Sequence, residues 1–335
     1  MTRARSSQID LSSTSYYHCM ARCVRRSFLC GLDFETGRDY SHRKSWIVSR
    51  IKYLASVFAI KICAYAVMSN HYHLVLYVDS SAINHWGDDE VHARWSQIYR
   101  QDAQLLSMYS AKEAEHKLAL WRQRLGDISW FMRCLNEPIA RHANKEDAKK
   151  GRFWEGRFKS QALLDEGAVL SAMVYVDLNP VRAKIAQTPE TSDFTSIQER
   201  IKKLSMELEN KEFDKSLEKQ CDETKQPADL MAFANGGKSS KAKIDFHLSD
   251  YLELIDTTSR VIREGKRGAV PEKIAPILTR LYLNPQTWLN MLNHLQNGFS
   301  YAIGKMNALV KYCHHYPSTT TKGIRLSQSV YLATA

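Results

Sequence analysis

The stretch 60–79 constrains the fold of this 335-residue chain more than any other. Residues 60–68 (Ile-Lys-Ile-Cys-Ala-Tyr-Ala-Val-Met) read as a strand, Ser69-Asn70 as a tight two-residue connection, and 71–79 as a second strand antiparallel to the first. A period of two puts Tyr72, Leu74, Leu76 and Val78 on one face and His71 and His73 on the other. The apolar stripe needs a core beneath it. The two imidazoles sit together at the strand's start, on the face away from that stripe.

The flanking sequence predicts what joins this hairpin. Residues 15–24 read as a strand, and 45–58 as a helix whose buried face is marked by Ile47, Ile51, Leu54 and Phe58. Residues 126–144 form an amphipathic helix marked by Ile128, Phe131, Met132, Leu135 and Ile139, with Pro138 predicting a kink or break. A strand follows near 158–164 and a helix over 166–178 carries Val169, Leu170, Met173 and Val174. The order β-α-β-β-α-β plus a final helix predicts an α+β fold built on a ferredoxin-like split βαβ antiparallel sheet.

Residues 80–124 read as a helical insertion within a domain spanning 1–200. Residues 201–243 read as a charged helix and a linker around Asn235–Ser240. Residues 244–316 read as a helical C-terminal domain, and 317–335 as a tail. Within the C-terminal domain Ser249 caps a helix to Glu264 that Gly265 stops. Asn284-Pro285 opens another helix, closed by Gly298, and a last helix spans Tyr301–Tyr312. With Arg263, Lys266, Arg267 and Arg280 these helices read either as a DNA-binding bundle or as an accessory one.

A net charge of +11 and a pI of about 9.2 favour a polyanionic partner. One basic cluster lies at Arg22, Arg25, Arg26, Arg38, Arg43 and Lys44. A second runs from Arg141 to Lys159 and is interleaved with Phe153, Trp154 and Phe158, aromatics that either stack unpaired bases or belong to the core. The seven cysteines form no C-x-x-C pair and read as reduced, buried thiols. Cys19 and Cys23, with His18 adjacent, are a weak zinc candidate because no second ligand pair follows. There is no apolar run long enough to span a bilayer and no secretory h-region, which predicts a cytoplasmic protein.

Two imidazoles suit a divalent metal, with oxygens and water completing the shell. Tyr175 and Asn179 stand at i and i+4 and share one face of a continuous helix, with Pro180 biasing Asn179 away from strictly helical dihedrals. Asn179 has an amide oxygen to offer as a third ligand. A tyrosine is a poor nucleophile at neutral pH unless its phenolate is stabilised, which a metal does. The set His71, His73, Tyr175 and Asn179 therefore matches the needs of phosphodiester cleavage through a covalent phosphotyrosine.

Met68-Ser69-Asn70-His71-Tyr72-His73 resembles the HUH motif of single-tyrosine transposases. Gly151-Arg152-Phe153-Trp154-Glu155-Gly156-Arg157-Phe158-Lys159, followed by Tyr175-Val176-Asp177-Leu178-Asn179-Pro180-Val181-Arg182-Ala183, is similar to the REP-associated tyrosine transposase branch. The likeness covers residues 13–200. It implies an HUH nuclease that cuts and rejoins single-stranded DNA beside hairpin-forming palindromes, with Mg²⁺ or Mn²⁺ as cofactor. It implies His71, His73 and Asn179 as metal ligands, Tyr175 as nucleophile, and Arg152, Trp154, Arg157, Lys159 and Arg182 as DNA contacts. Alternation turns Tyr72 into the core, so it is not the nucleophile. The insertion 80–124 and the C-terminal region depart from the core pattern, the latter resembling an extension of some longer relatives. Two other readings are a non-catalytic, domesticated DNA-hairpin-binding protein and a relaxase or replication nuclease; no P-loop is present to accompany the last. Oligomeric state, monomer or homodimer, is open.

Overall fold

The computed structural model describes residues 8–24, 29–33, 37–213, 226–234, 242–263, 272–315 and 322–332. The chain opens with β1 (Tyr16–Arg22), α1 (Arg43–Val57), β2 (Ile60–Val67) and β3 (His71–Val78). The insertion follows as short helices: α2 (Ser80–His85), α3 (Asp88–Ser96), α4 (Arg100–Gln104) and α5 (Ala111–Leu125). Next come α6 (Ile128–Glu146), β4 (Lys159–Leu163), α7 (Glu166–Asp177), α8 (Asn179–Arg182) and α9 (Ser196–Phe213). The C-terminal part holds α10 (Leu248–Arg263), α11 (Ala275–Arg280), α12 (Trp288–Gly298), β5 (Ala302–Ile303), α13 (Met306–His315) and α14 (Ile324–Val330).

The strands form one α+β sheet in the order β2-β3-β1-β4-β5. The predicted hairpin is present: the Met68 N–H donates to the His71 carbonyl at 2.8 Å across Ser69-Asn70. β3 pairs antiparallel with β1, His73 opposite Met20, and β1 pairs antiparallel with β4. β5 adds in parallel to β4, so the sheet is mixed rather than wholly antiparallel. This also corrects the C-terminal prediction. Residues 302–303 are strand, the helix begins only at Met306, and the expected tail contains α14. The expected linker at Asn235–Ser240 and the stop at Gly265 lie outside the described residues, as do Lys266 and Arg267.

α1 and α6 pack together on the face that carries Tyr72 and Leu74. Tyr72 donates its hydroxyl proton to Asn136 Oδ1 at 2.6 Å, which confirms that its ring points away from the histidines. The buried Arg43 guanidinium ties the start of α1 to Glu146 and Asp147 at the end of α6. Pro138 does not break α6. A proline has no N–H to give the carbonyl four residues earlier. Here that carbonyl, Cys134, accepts instead from Arg50 Nε at 3.1 Å, so the helix continues with its backbone satisfied.

α7 covers the opposite face, over the histidines, and α12 packs on α7 in turn. That explains why α7 is apolar all round and buried along nearly its whole length. Its C-terminal end is pinned by Asp177, a buried carboxylate that accepts from the Ser196 hydroxyl, the Ile197 N–H at 3.0 Å and the Tyr251 hydroxyl. Desolvation pushes the Asp177 carboxyl up to about 6 despite those donors. α9 and α10 are thereby tied to the helix that carries Tyr175.

Candidate active site

α7 begins at Asp165, whose side chain accepts from the Ala168 N–H at 2.9 Å. From that cap the helix carries Tyr175 across the sheet to the histidines. The Tyr175 ring meets His73 edge-on with centroids 5.6 Å apart, and His71 meets His73 at 4.9 Å. The strand period and the helix period, read separately in the sequence, thus converge on one spot.

A third imidazole, His18 of β1, completes the cluster. Its Nε2 lies 2.9 Å from His73 Nδ1, and its ring is 6.0 Å from that of Tyr175. Sequence reading associated His18 only with Cys19 and Cys23. Strand alternation turns it away from both thiols, onto the face shared with His73. The zinc candidate is therefore discarded. The signal for His18 lay in the pairing of β1 with β3, which no local pattern encodes.

The histidine face is not solvent-facing. His73 is fully buried beneath α7 and His18 nearly so. Burial lowers His18 to about 4, with Gln161 acting in the opposite sense. Burial, followed by the neighbouring Arg22 charge, lowers His71 to about 4. His73 is held well below the ordinary histidine range by burial first and its imidazole neighbours second. Burial thus favours the neutral form of all three rings, the form in which an imidazole ligates a metal. His73 Nε2 is buried and has no hydrogen-bond partner. His71 and His73 are the side chains through which a divalent metal would be held here. Arg22, cross-strand partner of His71, also holds a buried Nε without a partner.

Tyr175 is 6% exposed, and its hydroxyl donates to Gln296 Oε1 at 3.1 Å. Gln296 belongs to α12, so the C-terminal region reaches into the site. The Arg182 guanidinium lies over the Tyr175 ring, 4.6 Å from its centroid. Contact between residues seven apart requires the winding of α7 to carry on through Leu178 into α8. Asn179 is therefore on the tyrosine's side of the helix. Its side chain makes no hydrogen bond to His71, His73 or Tyr175.

The other candidate DNA contacts divide. The Trp154 indole donates to the Asn136 carbonyl at 2.9 Å and packs against Tyr72 and Phe153. Phe153 and Phe158 are buried, so these aromatics belong to the core. The Arg152 guanidinium donates to the Trp154 and Glu155 carbonyls. Arg152, Arg157 and Lys159 line a cleft of about 540 Å³ that reaches His18 and Met20. Its far wall comes from the C-terminal segment, including Gln296, Ser300 and Lys322.

Fold and site together define an α+β protein with a histidine–tyrosine cluster beside a basic cleft. No family model matches the chain, and no curated protein matches it. Among solved structures, a REP-associated tyrosine transposase bound to a REP hairpin is similar over 60% of this chain and 86% of that one. Identity is 13% and the TM-score 0.37, a likeness that assigns neither family nor activity. Among the described residues no helix is long and apolar enough to cross a membrane.

Proposed function

We propose that this protein cuts and rejoins single-stranded DNA through a covalent bond to Tyr175, on a ferredoxin-like HUH core. The observation that carries the reading is the meeting of His71, His73 and Tyr175 over one face of the sheet. The strand order β2-β3-β1-β4, antiparallel throughout, is that of a split βαβ unit and supports the same reading.

His71 and His73 would hold Mg²⁺ or Mn²⁺, with Asn179 as the third protein ligand. The metal when bound polarises a phosphate oxygen and stabilises developing alkoxide charge. Tyr175 Oη forms a bond to phosphorus, the P–O3′ bond breaks, and the proton lost by the phenol ends on the 3′-hydroxyl released. The phosphotyrosine retains the bond energy, so a 3′-hydroxyl reverses the step without ATP. Arg22, beside His71, and Arg182, over the Tyr175 ring, supply positive charge at the cluster. Lys159, Arg157 and Lys322 provide charge along the cleft for the strand's phosphates, single-stranded DNA next to a hairpin being the proposed substrate.

The test is a denaturing-gel assay on oligonucleotides from the DNA flanking the gene, with Mg²⁺ or Mn²⁺. A denaturant-resistant adduct lost in Tyr175→Phe, in His71→Ala/His73→Ala and in chelator is the expected result. The burial of Tyr175 and its bond to Gln296 favour a second reading, a protein that binds DNA hairpins without cutting them. Hairpin binding without any adduct, indifferent to Tyr175→Phe and to chelation, would establish that one.

A further inference from the structure

A chain of hydrogen bonds runs from the backbone of the C-terminal segment to His73. Gln161, on β4, approaches the carbonyl oxygen of Ser300 through Nε2 at 3.0 Å and that of Leu295 at 3.5 Å. Its Oε1 lies 3.1 Å from His18 Nδ1. His18 Nε2 lies 2.9 Å from His73 Nδ1. His73 Nε2, at the far end, is buried and has no partner.

Chemistry permits one direction of donation along this chain. A carbonyl oxygen only accepts, so the Gln161 amide must turn its NH₂ toward Ser300 and Leu295. The opposite rotamer would set Oε1 against two other oxygens with no proton between them. With NH₂ committed there, Oε1 faces His18 and must accept, so His18 carries its proton on Nδ1. Its Nε2 is then a bare acceptor, and His73 must carry its proton on Nδ1. The consequence at the end of the chain is that His73 Nε2 is unprotonated. A bare, buried imidazole nitrogen without a donor is destabilising, and a bound cation removes that cost. Hydrogen bonds to the second nitrogen are how proteins orient a metal-ligating imidazole and choose its tautomer.

We propose that Gln161 and His18 are positioning residues that fix the tautomer and orientation of His73, and that the C-terminal segment Leu295–Ser300 is what sets them. The C-terminal region is on this view a working part of the metal site rather than an accessory. The proposal rests on the reading of His73 as a metal ligand, and the experiment separates the two.

The first measurement needs no variant: nitrogen NMR of the full chain labelled with ¹⁵N-histidine, without metal. The expected spectrum shows both His18 and His73 protonated on Nδ1 and bare on Nε2, with coupling across the His73–His18 hydrogen bond. His73 protonated on Nε2 overturns the proposal. The second is Mn²⁺ binding followed by loss of the free-ion EPR signal. Gln161→Leu is expected to weaken Mn²⁺ binding about 10–100-fold. Gln161→Asn, which keeps both an acceptor for His18 Nδ1–H and an NH₂ for the carbonyls, is expected to restore part of it. Equal affinity in wild type and Gln161→Leu overturns the proposal. Wild type that binds no Mn²⁺ yet shows the expected tautomers defeats the metal reading and leaves the positioning chain standing.

Discussion

The hydroxyl of Tyr175 donates to Gln296 Oε1 at 3.1 Å, joining residues 121 positions apart in the chain. Gln296 Nε2 in turn lies 2.8 Å from Met20 Sδ on β1. One glutamine from α12 therefore bridges the candidate nucleophile and the sheet beneath it. The C-terminal region holds Tyr175 in place and at the same time covers it.

Tyr175→Phe removes one neutral hydrogen bond and little else. The expected loss of folding stability is about 1 kcal/mol, read from denaturant unfolding. The covalent adduct should vanish while affinity for the same oligonucleotide stays within a factor of two. An adduct persisting in this variant would show that a different residue attacks.

Asp177 anchors α9 and α10 to the end of α7 with three buried donors. Asp177→Ala strands those donors and should cost on the order of 3 kcal/mol or more in thermal or chemical unfolding. Tyr251→Phe removes one donor and should cost about 1–2 kcal/mol. A change below about 0.5 kcal/mol in Asp177→Ala would mean the carboxylate is not an anchor.

Lys159 and Lys322 are exposed along the basic cleft, and each should neutralise a phosphate of a bound strand. For single-stranded DNA each such contact contributes about −0.7 to the slope of log K against log salt. Lys159→Ala and Lys322→Ala should each make the slope shallower by about that amount, measured by fluorescence anisotropy over a salt series. Arg152→Ala should leave the slope alone, because its guanidinium is engaged by the Trp154 and Glu155 carbonyls. An unchanged slope in both lysine variants would place the strand elsewhere.

Cys19, Cys23, Cys30, Cys63 and Cys134 are buried, and desolvation pushes Cys30 and Cys63 up to about 12. In the unfolded chain a thiol ionises near pH 8.5. The folded state therefore keeps protons that the unfolded state loses above that pH. This contribution to stability is fully present below about pH 8.5 and is lost as pH rises toward 12. Unfolding free energy should fall over that interval, and the five thiols should resist a thiol reagent at pH 8 until the protein is denatured. Rapid labelling of Cys63 in the native state would contradict the burial.

What was legible in the sequence was local. The alternation of β3 sorts Tyr72 from His71 and His73 because a pleated strand has a period of two whatever it pairs with. The helices α1, α6 and α7 declare themselves through apolar spacing and caps, each within a dozen or so residues. Pro138 misled because its cost depends on whether the freed carbonyl finds a donor, and that donor, Arg50, comes from another helix. Trp154 stayed ambiguous because stacking on a base and packing on Tyr72 ask for the same side chain.

Tertiary structure decided the rest. That His18 rather than a cysteine joins the cluster follows from the register of β1 against β3 and β4. That β5 extends the sheet, that Gln161 meets both His18 and the Ser300 carbonyl, and that Gln296 meets Tyr175, follows from packing between segments more than a hundred residues apart. Periodicity reports which face of an element is buried. Which distant element buries it is set by the closest packing of the whole core, where side-chain shape and polar satisfaction are resolved together.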